Sequence, residues 1–325
     1  MVDRGRWVAM IRMGRLPFLV GGCFLYLMGC LFAALSGYPL SLAAVLAGYA
    51  VLGPAHLSVS YSNEYFDCEG DRLGTPTGVS GGTGVLAARP ELRPCARALS
   101  LALIGVSLAM AILATLSHVL APIVLPFAIA GNAIGWYYSA PPVRLSGRGL
   151  GEPATALTFG FLIPGLGYLA ISGVLDLPFL VFSIPLLLLG ISFILTVELP
   201  DGEADARSGK RTFVVRHGTL ASLRLILAAS LSASLLYLVL PFTGLFPVGA
   251  PVGDLLFASL IPLTPALLVN LHQGRSRDPG VLGNLQQEQP RDPGILVAFA
   301  RQEVSCLILF GVVSTLFLLI AYILA

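Results

Sequence analysis

Three observations predict an all-α integral membrane fold, with nine transmembrane helices around a central cavity. The chain of 325 residues is 56% apolar and only 11% charged, which excludes an ordinary water-soluble domain. Its apolar residues gather into runs long enough to cross about 30 Å of hydrocarbon. Its basic residues fall in alternate connections between those runs.

In chain order the runs cover 16–35, 39–61, 97–116, 119–138, 153–172, 178–199, 220–240, 253–271 and 304–324. Gly and Pro are frequent inside them, as a bundle can tolerate where neighbouring helices satisfy the freed backbone groups. The first run follows a basic arm with Arg4, Arg6, Arg12 and Arg15, is full length and has no clear cleavage site, so it reads as a retained helix. The even connections carry Arg72 to Arg97, Arg144 and Arg148, Arg207 to Arg224, and Arg275 to Arg301, while the odd ones carry none of the 19 Lys and Arg residues. The N-terminus is therefore expected in the cytoplasm and the C-terminus outside the cell membrane. Of the 17 acidic residues only Asp176 and Asp254 fall on the outer side. A single domain is expected over 1–325, with 272–294 as a flexible cytoplasmic insertion that repeats Arg-Asp-Pro-Gly at 277–280 and 291–294.

Net charge of +2 gives no electrostatic footprint for nucleic acid. Cys23, Cys30, Cys68, Cys95 and Cys306 form no CxxC pair and no Cys/His metal spacing.

Function is expected at two acidic quartets with identical internal spacing: Glu64, Asp67, Glu69, Asp71 and Glu198, Asp201, Glu203, Asp205. Carboxylates crowded beside hydrocarbon repel one another and require cations. Asn63, Asp67 and Asp71 recur every four residues, so a helix continuing through them carries all three on one face. Asp201 and Asp205 have the same relation, and Pro200 is expected to kink or unwind the sixth helix and bend them toward a shared cavity. Hard oxygen ligands of this kind suit Mg²⁺, which is commonly held by one or two carboxylates plus substrate phosphates. Lys210, Arg211 and Arg72 beside the quartets would hold the outer oxygens of a diphosphate, although positive-inside charge also accounts for bases in these loops. The run Ser80-Gly81-Gly82-Thr83-Gly84 lacks a Walker lysine pattern and reads as a lid. A transporter built from two related halves, its acids binding a coupling cation, is the rival from another class.

These residues also carry a family resemblance. Asn63-Glu64-Tyr65-Phe66-Asp67-Cys68-Glu69-Gly70-Asp71 resembles the N-D-x-x-D-x-x-x-D motif of the UbiA superfamily of intramembrane prenyltransferases, with Glu64 at the commoner Asp position. Asp201-Gly202-Glu203-Ala204-Asp205 resembles the second, D-x-x-x-D, motif, and Tyr138-Ser139-Ala140-Pro141-Pro142-Val143-Arg144-Leu145 resembles the segment after the fourth helix. The resemblance implies Mg²⁺-dependent transfer of a prenyl group from a polyprenyl diphosphate to a membrane-associated acceptor, with release of diphosphate. It implies that Asn63, Asp67, Asp71, Asp201 and Asp205 hold metal and diphosphate, the four aspartates as metal ligands, and that Lys210 contacts the diphosphate. Arg72, Arg144, Arg211 and Tyr138 are further candidates for diphosphate or prenyl contacts.

Gly209-Lys210-Arg211-Thr212-Phe213-Val214-Val215-Arg216-His217-Gly218 resembles a segment of the dihydroxynaphthoate prenyltransferases of menaquinone synthesis, while the spacing of the first motif follows the wider superfamily. An aromatic quinone precursor is the expected acceptor, and a glycerol-phosphate lipid of the archaeal ether-lipid type is the alternative. Tyr65, Phe66, Tyr137 and Tyr138 are candidates to face an allylic cation, and an interfacial aromatic belt explains the last two equally well. His56, seven residues before Asn63, is expected on the same side of the second helix, as a buried, hydrogen-bonded histidine in preference to a cavity-lining residue or a base. Asn132 and Asn270 are expected to contact acceptor or to join neighbouring helices.

Overall fold

The computed structural model describes residues 4–247, 249–275 and 293–325. Most of the proposed insertion, 276–292, lies outside them. Among the described residues thirteen α-helices make up the fold and no strand occurs. A short α1 (Arg4–Met13) precedes α2 (Leu16–Leu35) and the long α3 (Leu42–Asp71). A loop containing the single turn α4 (Val85–Ala88) leads to α5 (Arg93–Leu116) and α6 (Val124–Ser139). Next come α7 (Gly151–Leu157) and α8 (Ile163–Ser172), joined by a π-helical turn over Thr158–Leu162, then α9 (Leu177–Glu198) and α10 (Gly202–Arg207). The chain finishes with α11 (Phe213–Val239), α12 (Val252–Arg275) and α13 (Pro293–Leu324).

Eight of these segments are long and apolar enough to cross a membrane: Leu16–Leu35, Leu42–Asp71, Pro90–Leu116, Gly151–Ser172, Leu177–Arg207, Phe213–Thr243, Val252–His272 and Gly294–Leu324. The fourth expected span, 119–138, is represented by α6, whose 16 residues rise about 24 Å and fall short of the hydrocarbon thickness. Residues 119–123 form the turn that enters it.

Local chemistry sets the helix starts. Ser41 accepts the Ala44 N–H, Asp176 the Phe179 N–H and Thr212 the Val215 N–H, each satisfying a backbone donor that the first helical turn leaves unpaired. Close backbone approach then locks α2 against α8, because a side chain on Gly29 would collide with the Pro164 carbonyl and one on Gly167 with that of Tyr26. The main core fills the space beside this contact, with Phe32 stacked on Phe182 at 4.1 Å. At one end of the bundle Tyr168 and Tyr38 donate to Asp176 at 2.8 and 3.0 Å. The two acidic quartets lie at the other end.

α3 continues ten residues beyond the expected limit of its span, so Asn63, Asp67 and Asp71 do lie along one helix. Pro200 sits in a 3₁₀ turn, Leu199–Asp201, that separates α9 from α10 and redirects the chain through the second quartet.

Candidate active site

Five of the eight quartet carboxylates, Asp67, Asp71, Glu198, Asp201 and Asp205, meet in a cavity of about 340 Å³ bounded by α2, α3, α5–α10 and α13. Asn63, Asp67 and Asp71 enter from α3, Asp201 from the 3₁₀ turn, Asp205 from α10 and Lys210 from the following loop. The first motif is tied to α6 by Ser139, whose hydroxyl lies 2.5 Å from Asp67 Oδ2 and 3.1 Å from Asn63 Oδ1. The second is tied to its loop by Lys210, 3.0 Å from Asp205 Oδ1.

Several contacts place that lysine. Its N–H donates to the Asp205 carbonyl at 3.0 Å, the Arg211 N–H donates to Gly147, and the Phe213 N–H donates to the Glu152 carboxylate at the start of α7. Burial disfavours the Lys210 charge, but Asp67, Asp205 and Asp71 outweigh it and hold the ammonium above its ordinary pKa. A fixed cation therefore stands between the two motifs.

The glycine loop joins them directly. Gly81 N–H donates to Asp201 Oδ2 at 2.7 Å, and Thr83 donates through both its N–H and its hydroxyl to Glu64 at 2.9 Å. Gly81 and Gly82 adopt φ of +71° and +66°, and a side chain on Gly82 would strike the Asp71 carboxylate. Glu64 is buried and also pairs with Arg15 at 2.8 Å. It organises the loop and the start of α2, and does not line the cavity with Asp67 and Asp71 of its quartet.

Charge in the cavity is unbalanced. Asp67, Asp71, Glu198, Asp201 and Asp205 line it, and Arg15 and Lys210 are the only Lys or Arg among its described lining residues. Arg15 is already engaged by Glu64, so the surplus is negative. No group of three His, Cys, Asp or Glu among the described residues is arranged to hold a metal ion by itself. Mg²⁺ fits such a donor set, because it retains waters and takes phosphate oxygens to complete its shell.

A sequence profile decides the family: that of the UbiA prenyltransferase family matches residues 22–281, most of the chain. The chain belongs to the UbiA prenyltransferase family. Among curated proteins no sequence matches it significantly. The fold resembles a UbiA homolog from Archaeoglobus fulgidus bound to GPP and Mg²⁺, with TM-score 0.60, 17% identity and coverage of 94% of this chain and 99% of that one. It also resembles the apo UbiA homolog from Aeropyrum pernix K1, with TM-score 0.64, 18% identity and coverage of 90% and 96%. A third structure, of a digeranylgeranylglyceryl phosphate synthase, aligns with TM-score 0.59 and 14% identity over 96% of this chain and 99% of its own. These identities establish a shared fold.

Within this UbiA-family cavity the expected residues separate into two sets. Asn63, Asp67, Asp71, Tyr138, Asp201, Asp205 and Lys210 line it. Arg72, Arg144 and Arg211 are not among the lining residues, and Arg72 turns to Glu69 at 3.3 Å. Of the four candidate aromatics only Tyr138 lines the cavity; Tyr65 lies beneath Arg93 and Arg97, Phe66 packs edge-on to Trp136, and Tyr137 is exposed. Asn270 joins helices by donating to Leu223 O at 2.9 Å and Ala266 O at 2.8 Å. His56 lines the cavity, but its Nδ1 has no hydrogen-bond partner, contrary to expectation, because it packs against Gly22 where no donor or acceptor side chain exists.

Sequence reasoning assigned no part to Ser139, Arg15 or Glu152, and read the Gly81–Thr83 run as a lid without foreseeing its contacts to Asp201 and Glu64. Ser139 stood inside a recognised segment, and its position after Tyr138 was the available signal. The others act through long-range contacts that no local spacing reveals.

Proposed function

We propose that this membrane prenyltransferase transfers a prenyl group from a polyprenyl diphosphate to an aromatic quinone precursor such as a dihydroxynaphthoate. The convergence of Asp67, Asp71, Asp201 and Asp205 with Lys210 on one cavity supports this reading. In it, Asn63 and the four aspartates hold metal and diphosphate, with the aspartates as Mg²⁺ ligands. Mg²⁺, when bound, neutralises the diphosphate and makes it a better leaving group.

The residues of the chain supply the rest. Lys210 takes an outer diphosphate oxygen and stabilises charge that grows as the allylic carbon–oxygen bond breaks, its electron pair leaving with diphosphate. Ser139 orients Asp67 through its hydroxyl. Tyr138 presents an aromatic face to the prenyl cation, and the apolar walls keep water away from it. The acceptor ring carbon then bonds to the prenyl carbon and its proton passes to solvent. By the positive-inside pattern this site opens to the cytoplasm, and the cell membrane is the proposed location.

The menaquinone-like segment 209–218 favours the aromatic acceptor over a glycerol-phosphate lipid, and the family match favours prenyl transfer over a cation-coupled transporter. Thermal unfolding of the protein in lipid tests the reading. Mg²⁺ and geranylgeranyl diphosphate together should raise the midpoint well beyond either alone; equal protection by Mg²⁺ without the lipid diphosphate would contradict it.

A further inference from the structure

A second, open groove lies outside the acidic cavity, where Tyr65 of α3 meets Arg93, Pro94, Arg97, Ala98 and Leu101 of α5. Its volume of about 590 Å³ is in the range of small-molecule sites. None of these residues lines the acidic cavity.

The groove gathers positive charge. Arg93 and Arg97 lie one helical turn apart, and both guanidinium groups sit over the Tyr65 ring, at 5.1 and 5.7 Å from its centroid. Like charges at this spacing repel one another. Glu69 reaches Arg93 at 3.3 Å but is shared with Arg72 at the same distance, and Arg97 forms no ion pair among the described residues. One carboxylate therefore serves three guanidinium groups, the reverse of the balance in the acidic cavity.

The neighbouring helices give the level of this groove in the bilayer. Arg93 and Arg97 occupy the first two turns of α5, at one end of the apolar span Pro90–Leu116. α1 is tied to the same end of α5 by Arg6, whose Nη2 lies 3.0 Å from Cys95 Sγ. It leaves Trp7, Val8 and Ile11 exposed on one face, as a helix lying in the membrane surface does. That surface crosses α5 at the level of the arginines, and Leu101, exposed one turn beyond Arg97, faces hydrocarbon.

A ligand that fits is anionic at one end and apolar at the other. Guanidinium groups pair with phosphate oxygens, and basic clefts between helices at the membrane surface suit phospholipid headgroups. We infer that Arg93 and Arg97 bind the phosphate of an anionic phospholipid of the surrounding bilayer, with its acyl chain along Ala98 and Leu101. The lipid supplies negative charge that Glu69 alone does not, and braces α5 against the end of α3 that carries Asp67 and Asp71. The inference does not depend on the prenyl-transfer reading.

Native mass spectrometry of the full chain in detergent, titrated with phosphatidylglycerol or phosphatidylcholine, tests it. The wild type should hold one phosphatidylglycerol at least about 10-fold more tightly than phosphatidylcholine. Arg93→Gln and Arg97→Gln should each weaken that lipid about 10-fold, as loss of a hydrogen bond to a charged group does. Arg224→Gln, at an exposed arginine outside the groove, should leave it within about 2-fold. Thermal unfolding in phosphatidylcholine vesicles checks that the variants are folded; if Arg93→Gln is not, Arg97→Gln carries the test. Equal loss in all three variants, or equal binding of the two lipids, would overturn the site, because a diffuse basic surface accounts for either. Displacement of the lipid by inorganic phosphate at comparable concentration would assign the groove to free phosphate, and displacement by geranylgeranyl diphosphate would assign it to a prenyl diphosphate; each overturns the inference.

Discussion

Gly81 donates its backbone N–H to Asp201 at 2.7 Å, across 120 positions of sequence. The loop that follows the first acidic motif therefore ends on the second. Thr83 returns the same loop to Glu64, and Arg301 of α13 donates to Thr77 O at 2.9 Å, so the segment is anchored to three separate elements. Neither motif is set independently of the other.

Gly82→Ala should be costly for this reason. A methyl group there would displace Asp71 and would also require a non-glycine residue at φ +66°. The expected loss in kcat/KM is about 100-fold, with thermal unfolding of the unliganded protein lowered by only a few degrees, because the loop is peripheral to the packed core. Activity close to wild type would show that the loop moves away from Asp71 during turnover.

Ser139→Ala removes the hydroxyl that contacts Asp67 and Asn63. A hydrogen bond to a charged group contributes about 1.5–3 kcal/mol, so kcat/KM should fall about 10- to 100-fold. Mg²⁺ titration of the variant checks the cause: the concentration giving half-maximal activity should rise if Ser139 orients Asp67.

Glu64→Gln keeps an acceptor for Thr83 and leaves Arg15 without its counter-charge. Breaking a mostly buried ion pair on one side should cost about 2 kcal/mol of stability, read as a lowered unfolding midpoint. Because Glu64 does not line the cavity, the unliganded protein should show this loss as fully as the liganded one.

Lys210 bears on pH dependence. Its folded-state pKa is raised, so its contribution is complete below the unfolded lysine value near 10.4 and is lost only as pH rises through the higher folded value. Activity between about pH 7 and 9 should therefore show no decline attributable to this group. Lys210→Met should lower kcat about 100-fold at every pH in that window, as removal of one charge-stabilising donor commonly does; a decline in the wild type that this variant abolishes would contradict the assignment.

The all-helical membrane fold and the two motifs were legible because membrane spans and fourfold helical spacing are local signals. The α6 span was overextended since apolar content continues through 119–123, where the backbone forms a turn instead. Glu64 looked equivalent to Glu198 in sequence, but packing turns Glu64 to Arg15 and Thr83 and leaves Glu198 lining the cavity. Arg72 has an equally plain local explanation: Glu69, three residues earlier on the same helix end, captures it. Such choices depend on which partner reaches a side chain first in three dimensions, and the linear spacing of charges does not encode that.

Diphosphate release by the purified protein in lipid tests the central claim most directly. With Mg²⁺, geranylgeranyl diphosphate and an aromatic acceptor, release should depend on the acceptor and should be abolished by both Asp67→Asn and Asp201→Asn. Release that persists in either variant, or a wild type that neither binds nor cleaves the diphosphate in the presence of Mg²⁺, would contradict a single active site built from the two motifs.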